Sequence, residues 1–346
     1  MNNLFIETRD PLFGVIVFFA LIFVVTFFSY WWGRYRAKDD HRYLDNFIKD
    51  LNTVPSENEI KELIHTGNIS SSSWFLLASS YIQQGNYEKS IEIYKSIIEA
   101  EKEPSKRKKT LILLGQTYLK AGFLERSKEV FLKILKHEPR TPEALYSLLL
   151  VYDRLKEYKK ALDVLEPLHE LDENIEHETL YLECAYLLQR NDIQNNKKIE
   201  SLLTLYKKHQ KFTYLIFEYL FKIDSQMAWE HLRSSDYKRL SDLLWYLDDE
   251  KISMEAISSH SYLRELFSAR GVVDLANDSE HFELDVLIKL NHAKEKGATL
   301  QFEYLCKNCK HIFPFAFHRC PNCHNTDTLI PEMLLSKDSF EENYNF

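Results

Sequence analysis

Glycine and proline are scarce in this chain of 346 residues, eight and nine of them against 22 phenylalanines and 20 tyrosines. A turn-rich β fold needs far more of both, so their scarcity points to a mainly α protein. Few glycines also leave little room for phosphate-cradling loops. No GxGxxG or Walker A run occurs, nor does HExxH or GxSxG, and with them go the nucleotide, metalloprotease and serine-hydrolase readings. Positive charge is not in excess either. The 44 lysines and arginines face 52 acidic residues, for a net charge of -8, which argues against a broad basic face for nucleic acid. Cysteine is limited to five positions, four of them between residues 306 and 323.

Long uncharged runs are absent except at the N-terminus. Residues Phe13 to Trp32 carry no charge over 20 positions, enough at the helical rise to cross a bilayer core of about 30 Å. The basic n-region and small-residue cleavage site of a secretory signal are missing. The preceding residues 1–12 are slightly acidic, whereas Arg34, Arg36, Lys38 and Arg42 follow the run. By the positive-inside rule 1–12 is extracytoplasmic, 13–32 a transmembrane helix, and the bulk of the protein cytoplasmic, with Tyr30, Trp31 and Trp32 at the inner interface. Residues 33–66 are charged and weakly periodic, and read as a juxtamembrane linker or helix.

A repeat follows. Trp74, Leu77, Ala78, Tyr81, Gly85, Ser90 and Tyr94 recur 37 positions later as Leu111, Leu114, Gly115, Tyr118, Gly122, Ser127 and Phe131. After a further 34 they return as Leu145, Leu148, Leu149, Tyr152, Lys156, Ala161 and Leu165. This is the tetratricopeptide pattern of two antiparallel helices, with small residues at the crossing and an aromatic anchor on each helix. The clear copies span about 71–173. A fourth around Leu180 to Lys208 keeps the period, with Cys184 in the small position as a buried small hydrophobe and Asn191 in the turn. Helical patterns continue to Lys296 and are read as degenerate repeats of one solenoid over 67–300, with an independent helical domain as the rival reading.

Such solenoids bind through the face made by their first helices, where Ser79, Gln83, Gln116, Lys120, Tyr146 and Arg154 are non-signature positions and candidate partner contacts. The basic run Lys106 to Lys109 reads as a solvated helix start, or as a contact for an acidic partner or anionic lipid.

Near the C-terminus the period changes to two at Phe302 and Tyr304, and again at Phe313, Phe315 and Phe317, predicting short strands. Around them lie two CxxC pairs, Cys306 with Cys309 and Cys320 with Cys323. In a cytoplasmic body such pairs form a metal site rather than disulfides. Four thiolates make a closed tetrahedral shell for one zinc or iron ion, with no open position for hydrolytic chemistry. His311, His318 and His324 lie close by, but the shell is already full. Their expected use is an imidazole N–H that tunes a sulfur. A four-thiolate iron site would also suit an electron carrier.

In order of parts the chain resembles the lipopolysaccharide assembly protein B family. LGQTYLKAGFLERSKEVF and LCKNCKHIFPFAFHRCPNC, the latter followed by TLIP, carry the likeness best. The resemblance implies a rubredoxin-like zinc ribbon at 301–334, packed against the repeats and followed by a tail at 335–346. It also implies a non-catalytic adaptor in the bacterial inner membrane, regulating lipopolysaccharide synthesis. The implied partners are the lipid A pathway deacetylase, as protein client, and an FtsH-type membrane protease. The four metal positions carry over onto Cys306, Cys309, Cys320 and Cys323. The chain departs from the family in its shorter clear-repeat region and at Lys310, where the family has glycine after the first knuckle; His324 follows the second. Without glycine, a left-handed turn there costs about 1 kcal/mol. The remaining reading is a generic membrane-anchored scaffold for an envelope complex.

Overall fold

A computed structural model describes residues 21–24, 26–28, 62–64, 71–171, 175–295 and 297–337. The expected extracytoplasmic segment 1–12 lies outside these residues, as do most of the span 13–32, most of the linker 33–66 and the tail beyond 337. Of the span, 21–24 and 26–28 are helical and exposed. Among the described residues no helix is long and apolar enough to cross a membrane.

The chain divides into two compact units, one ending at Val151 and the other beginning at Tyr152. The first contains α1 (Ser71–Gln83), α2 (Tyr87–Ala100), α3 (Pro104–Lys120), α4 (Leu124–His137) and most of α5 (Pro142–Arg154). Pro104 opens α3, where its missing N–H costs nothing. Trp74, Ala78, Ile93, Tyr94, Ile97, Leu114 and Tyr118 form a continuous buried cluster. Much of the repeat signature is therefore core, its turn positions Gly85, Gly122 and Lys156 being exposed.

Gly115 shows why small residues recur at the crossing. A Cβ built there would lie 2.7 Å from Phe131 Cζ, and the Ser127 hydroxyl donates 2.8 Å to the Gly115 carbonyl from the neighbouring helix. The turns inside the hairpins are equally alike. Gly85 and Gly122 have φ of +77° and +82°, and the backbone N–H of Asn86 and of Phe123 donates back to Tyr81 and Tyr118 at 2.8 and 2.9 Å. The third turn keeps the same bond, Glu157 N–H to Tyr152 at 2.8 Å. Lys156 adopts φ +58° in the glycine's place.

The second unit continues with α6 (Tyr158–His169) and the expected fourth hairpin, α7 (Glu176–Gln189) and α8 (Asn195–His209). Cys184 is buried, and burial pushes its thiol up to about 12. The fourth turn departs from the others. Asn191 does not take the left-handed conformation, and α7 instead ends on an extended Arg190 whose N–H bonds Tyr186.

Beyond α8, where degenerate solenoid repeats or an independent helical domain are expected, the helices become short and uneven. The chain forms α9 (Thr213–Ile223), α10 (Ser225–His231), α11 (Ser241–Trp245), α12 (Met254–Ser259), α13 (Ser261–Ala269) and α14 (Phe282–His292), with 3-10 turns at Ser234–Leu240 and Asp249–Lys251. Most are too short for a two-helix repeat. They share a buried core that includes Phe217, Leu240, Leu263 and Phe267, with individual polar contacts added to it: Tyr206 OH to Asp236 at 2.7 Å, Arg233 to Asp236 at 2.8 Å, and Trp229 Nε1 to the Lys251 carbonyl at 2.9 Å.

The unit ends in a three-stranded antiparallel sheet, ordered β2-β1-β3, of β1 (Ala298–Cys306), β2 (Ile312–Phe313) and β3 (Leu329–Lys337). Phe302 stands opposite Met333 and Cys306 opposite Leu329. The strands begin before 301 and reach into the segment expected to be a tail. Of the three alternating phenylalanines only Phe313 is in a strand. Phe317 is instead buried beneath the loop, its ring 5.3 Å from that of Phe313.

Candidate metal centre

Two successive chain reversals build the centre, and they have the same backbone. Lys310 N–H donates to the Cys306 carbonyl at 2.9 Å and His324 N–H to the Cys320 carbonyl at 3.0 Å. Cys306 N–H then bonds the His311 carbonyl, and Cys320 N–H the Asn325 carbonyl, each at 2.9 Å. Lys310 and His324 both have φ +61°. These are the left-handed positions expected from the sequence, held here by residues with side chains at a cost of about 1 kcal/mol apiece.

The turns bring the four sulfurs together. All lie within 4.8 Å of one another, with Cys306–Cys323 and Cys309–Cys320 each at 3.7 Å. A tetrahedral ion with metal–sulfur bonds of about 2.3 Å has edges of about 3.8 Å. The donor set therefore fits one thiophilic ion such as zinc or iron. Bound there, the ion would cross-link the two reversals; no position is left for substrate.

The electrostatics agree. The His311 backbone N–H and the Asn322 side chain pull the Cys309 thiol down to about 6. Burial works against the Cys323 thiolate, but Asn308 and the Asn325 N–H outweigh it and lower that thiol too. Burial pushes Cys320 up to about 12, as for a sulfur that ionises only when an ion takes the proton's place. At Cys309 the His311 contribution is its backbone N–H, its Nδ1 lying 3.3 Å from Asn322 Nδ2. His318 pairs with Glu218 at 3.0 Å. Neutral amides fixed by the turns thus lower the Cys309 and Cys323 thiols.

The residue before Cys320 was not singled out by its sequence, and it anchors the whole module. Arg319 is almost wholly buried, with Nε 2.5 Å from Asp153 and Nη2 2.7 Å from Glu178. Nη1 donates to the His324 carbonyl at 2.8 Å, and the guanidinium lies 4.7 Å from the centre of the Tyr181 ring. Burial alone would push the guanidinium toward neutrality; the two carboxylates hold it charged. Beside it, Thr326 Oγ1 meets His177 Nδ1 at 3.0 Å and Arg239 pairs with Asp327 at 2.9 Å.

The sheet is fastened as well. The Tyr246 hydroxyl donates to the Leu300 carbonyl at 3.4 Å, its ring packing edge-on against Phe302. Asp242 receives the Tyr214 hydroxyl at 2.5 Å, and Tyr304 of β1 helps to favour its carboxylate. One sequence signal pointed to these contacts: residues 304–326 contain no acid, so a buried arginine among them had to find its carboxylates elsewhere in the chain.

The candidate partner residues fall on the first helices of their hairpins: Ser79 and Gln83 on α1, Gln116 and Lys120 on α3, Tyr146 and Arg154 on α5. Ser79, Gln83, Lys120 and Arg154 are exposed, and Gln116 and Tyr146 half-buried. In the basic run, Lys106 pairs with Glu103 at 2.7 Å and Lys108 with Glu138 at 2.5 Å.

Residues 71–104 and 112–167 match family models of the tetratricopeptide repeat. No curated protein matches the chain. Among solved structures it is similar to MamA 41-end from Desulfovibrio magneticus RS-1, at 24% identity over 46% of this chain and 88% of that one, with a TM-score of 0.35. A MamA RS-1 ArsTM double mutant gives the same figures. A tetratricopeptide repeat protein from Parabacteroides merdae ATCC 43184 is 15% identical over 64% of this chain and 98% of that one, with a TM-score of 0.35. The chain thus carries tetratricopeptide repeats, modules of protein–protein interaction scaffolds.

Proposed function

We infer that this protein is a non-catalytic adaptor, whose repeats hold a protein client and whose four-cysteine module, loaded with metal, fastens the third and fourth repeat hairpins. The observation that carries this reading is Arg319. It stands next to a metal-ligating cysteine and is buried against Asp153 and Glu178 on α5 and α7, so the module is a clip on the helices. An electron carrier has no need of such a clip.

In its finer form, the adaptor is tethered to the bacterial inner membrane by residues 13–32 and presents the lipid A pathway deacetylase to an FtsH-type protease. Support comes from the order of parts along the sequence and from the physics of tethering, since two proteins held at one surface meet at a raised effective concentration. Crosslinking in native membranes tests it. The deacetylase and the protease should be enriched with the chain, and deacetylase should accumulate in a deletion strain. Enrichment of an unrelated envelope complex would instead favour a general scaffold. A form lacking residues 1–33 that restored normal control would remove the tether from the reading.

A further inference from the structure

The loop between the two knuckles exposes apolar side chains that a soluble surface ordinarily hides. Ile312 is 52% and Phe315 55% exposed. Pro314 and Ala316 are also exposed, and Phe313 is half-buried. The rings are ordered among themselves, Phe313 lying 6.0 Å from Phe315 and stacking on His311 at 6.4 Å. The base of the loop is pinched where Cys309 and Cys320 approach to 3.7 Å. Just outside that base, Arg319 is locked to Asp153 and Glu178. A short apolar tip is thus held out rigidly by the metal site and its clip.

The segment that bears the tip carries charge of one sign, the nearest acids being Glu303, beside the Tyr304 that stands opposite Phe313, and Glu218, which is held by His318. In a chain of net charge -8, residues 304–326 carry Lys307, Lys310 and Arg319 and no acid. Arg319 is neutralised inside the protein, which leaves Lys307 and Lys310 exposed on the tip's flank, without an ion pair among the described residues. Aromatic and aliphatic side chains beside lysines match the boundary between acyl chains and anionic headgroups. A second copy of the tip would meet this one with like charge. Consecutive exposed apolar residues also present surface on several sides, which lipid can cover all round and a protein face can cover on one.

We propose that the tip Ile312–Phe315 inserts into the interface of an anionic bilayer, with Lys307 and Lys310 on the headgroups and the metal site presenting it. The tip makes its own contact with lipid and does not depend on the identity of any client. Pre-ordering by the metal removes much of the entropy cost that a free loop would meet on insertion.

The test uses the full chain, loaded with metal and reconstituted with vesicles of phosphatidylcholine alone or with about 30% phosphatidylglycerol. A photoreactive benzophenone side chain is placed at Phe315, or for comparison at Phe282 on α14, which is 70% exposed. Lipid adducts at 315 should exceed those at 282 and rise with phosphatidylglycerol. The pair Lys307→Gln and Lys310→Asn, asparagine being tolerant of the left-handed backbone, should lower them with metal content unchanged. Each lysine near an anionic surface is worth about a fivefold change in partition. Equal yields at the two positions, yields indifferent to phosphatidylglycerol, or adducts to a second copy overturn the proposal. Flotation on pure phosphatidylcholine reports the tether separately. A chain that floats there without lipid adducts at 315 sinks the tip and spares the tether. One that floats only on anionic vesicles, with adducts at 315, sinks the tether and supports the tip.

Discussion

The hairpins of the repeats and the helices that carry the metal module are held by different kinds of contact. In the repeats the decisive partners are near in sequence: Ser127 reaches Gly115, 12 positions away, and each of the first three turns closes on a bond between residues five apart. The contacts are small, similar and reused. Around the cysteines they are single and distant, Arg319 meeting residues 166 and 141 positions back and Thr326 meeting one 149 back. A repeat can lose one contact and lean on its copies, since its stability is close to a sum over neighbours. The metal-bearing region copies only its two knuckles, and the contacts that dock them have no copies to lean on.

The largest effect should come from removing the ion. Cys306→Ser with Cys309→Ser, or chelation of the native chain, should cost metal-linked folding energy on the order of 10 kcal/mol. Hydrogen exchange should then show β1 and β3 unprotected while α1 to α4 keep their protection. Equal loss in both regions would show that they do not differ in this way.

Next comes the clip. Arg319→Met leaves two carboxylates facing an apolar side chain and should cost about 3–5 kcal/mol by denaturant titration. Adding Asp153→Asn and Glu178→Gln should recover much of that, because the penalty is uncompensated charge. Absence of recovery would assign the loss to packing.

Within the repeats, Gly115→Ala drives a methyl into the Phe131 ring and should lower stability by about 1–3 kcal/mol. Phe131→Leu in the same chain should ease the clash. The smallest effect is a gain. Lys156→Gly should stabilise by about 1 kcal/mol, since it occupies the left-handed position that Gly85 and Gly122 fill in the other turns. A fall in the urea midpoint would mean that the lysine side chain matters more than its backbone.

Much of this was legible in the residues. Trp74, Ala78 and Tyr94 were readable as core because a helix that must bury one face repeats its apolar positions at a fixed interval. The cysteines were readable because two CxxC pairs match one shell. After α8 the period decays, and short helices of unequal length leave no fixed interval to detect. The Asn191 turn was not legible either, since a residue able to adopt φ above zero need not do so when the loop has room to spare.

The first three repeat hairpins, the left-handed positions at Gly85, Gly122 and Lys310, and the gathering of four cysteines by two like turns follow from the sequence alone. Each depends on neighbours within about one repeat, so local stereochemistry and periodicity suffice. Only the tertiary structure decided that Arg319 is buried on Asp153 and Glu178, that backbone and asparagine amides tune the sulfurs, and that Ile312 and Phe315 stand exposed at a pinched tip. Burial and charge pairing belong to whichever segments meet in space, and nothing in the spacing of residues 153, 178 and 319 announces that they will.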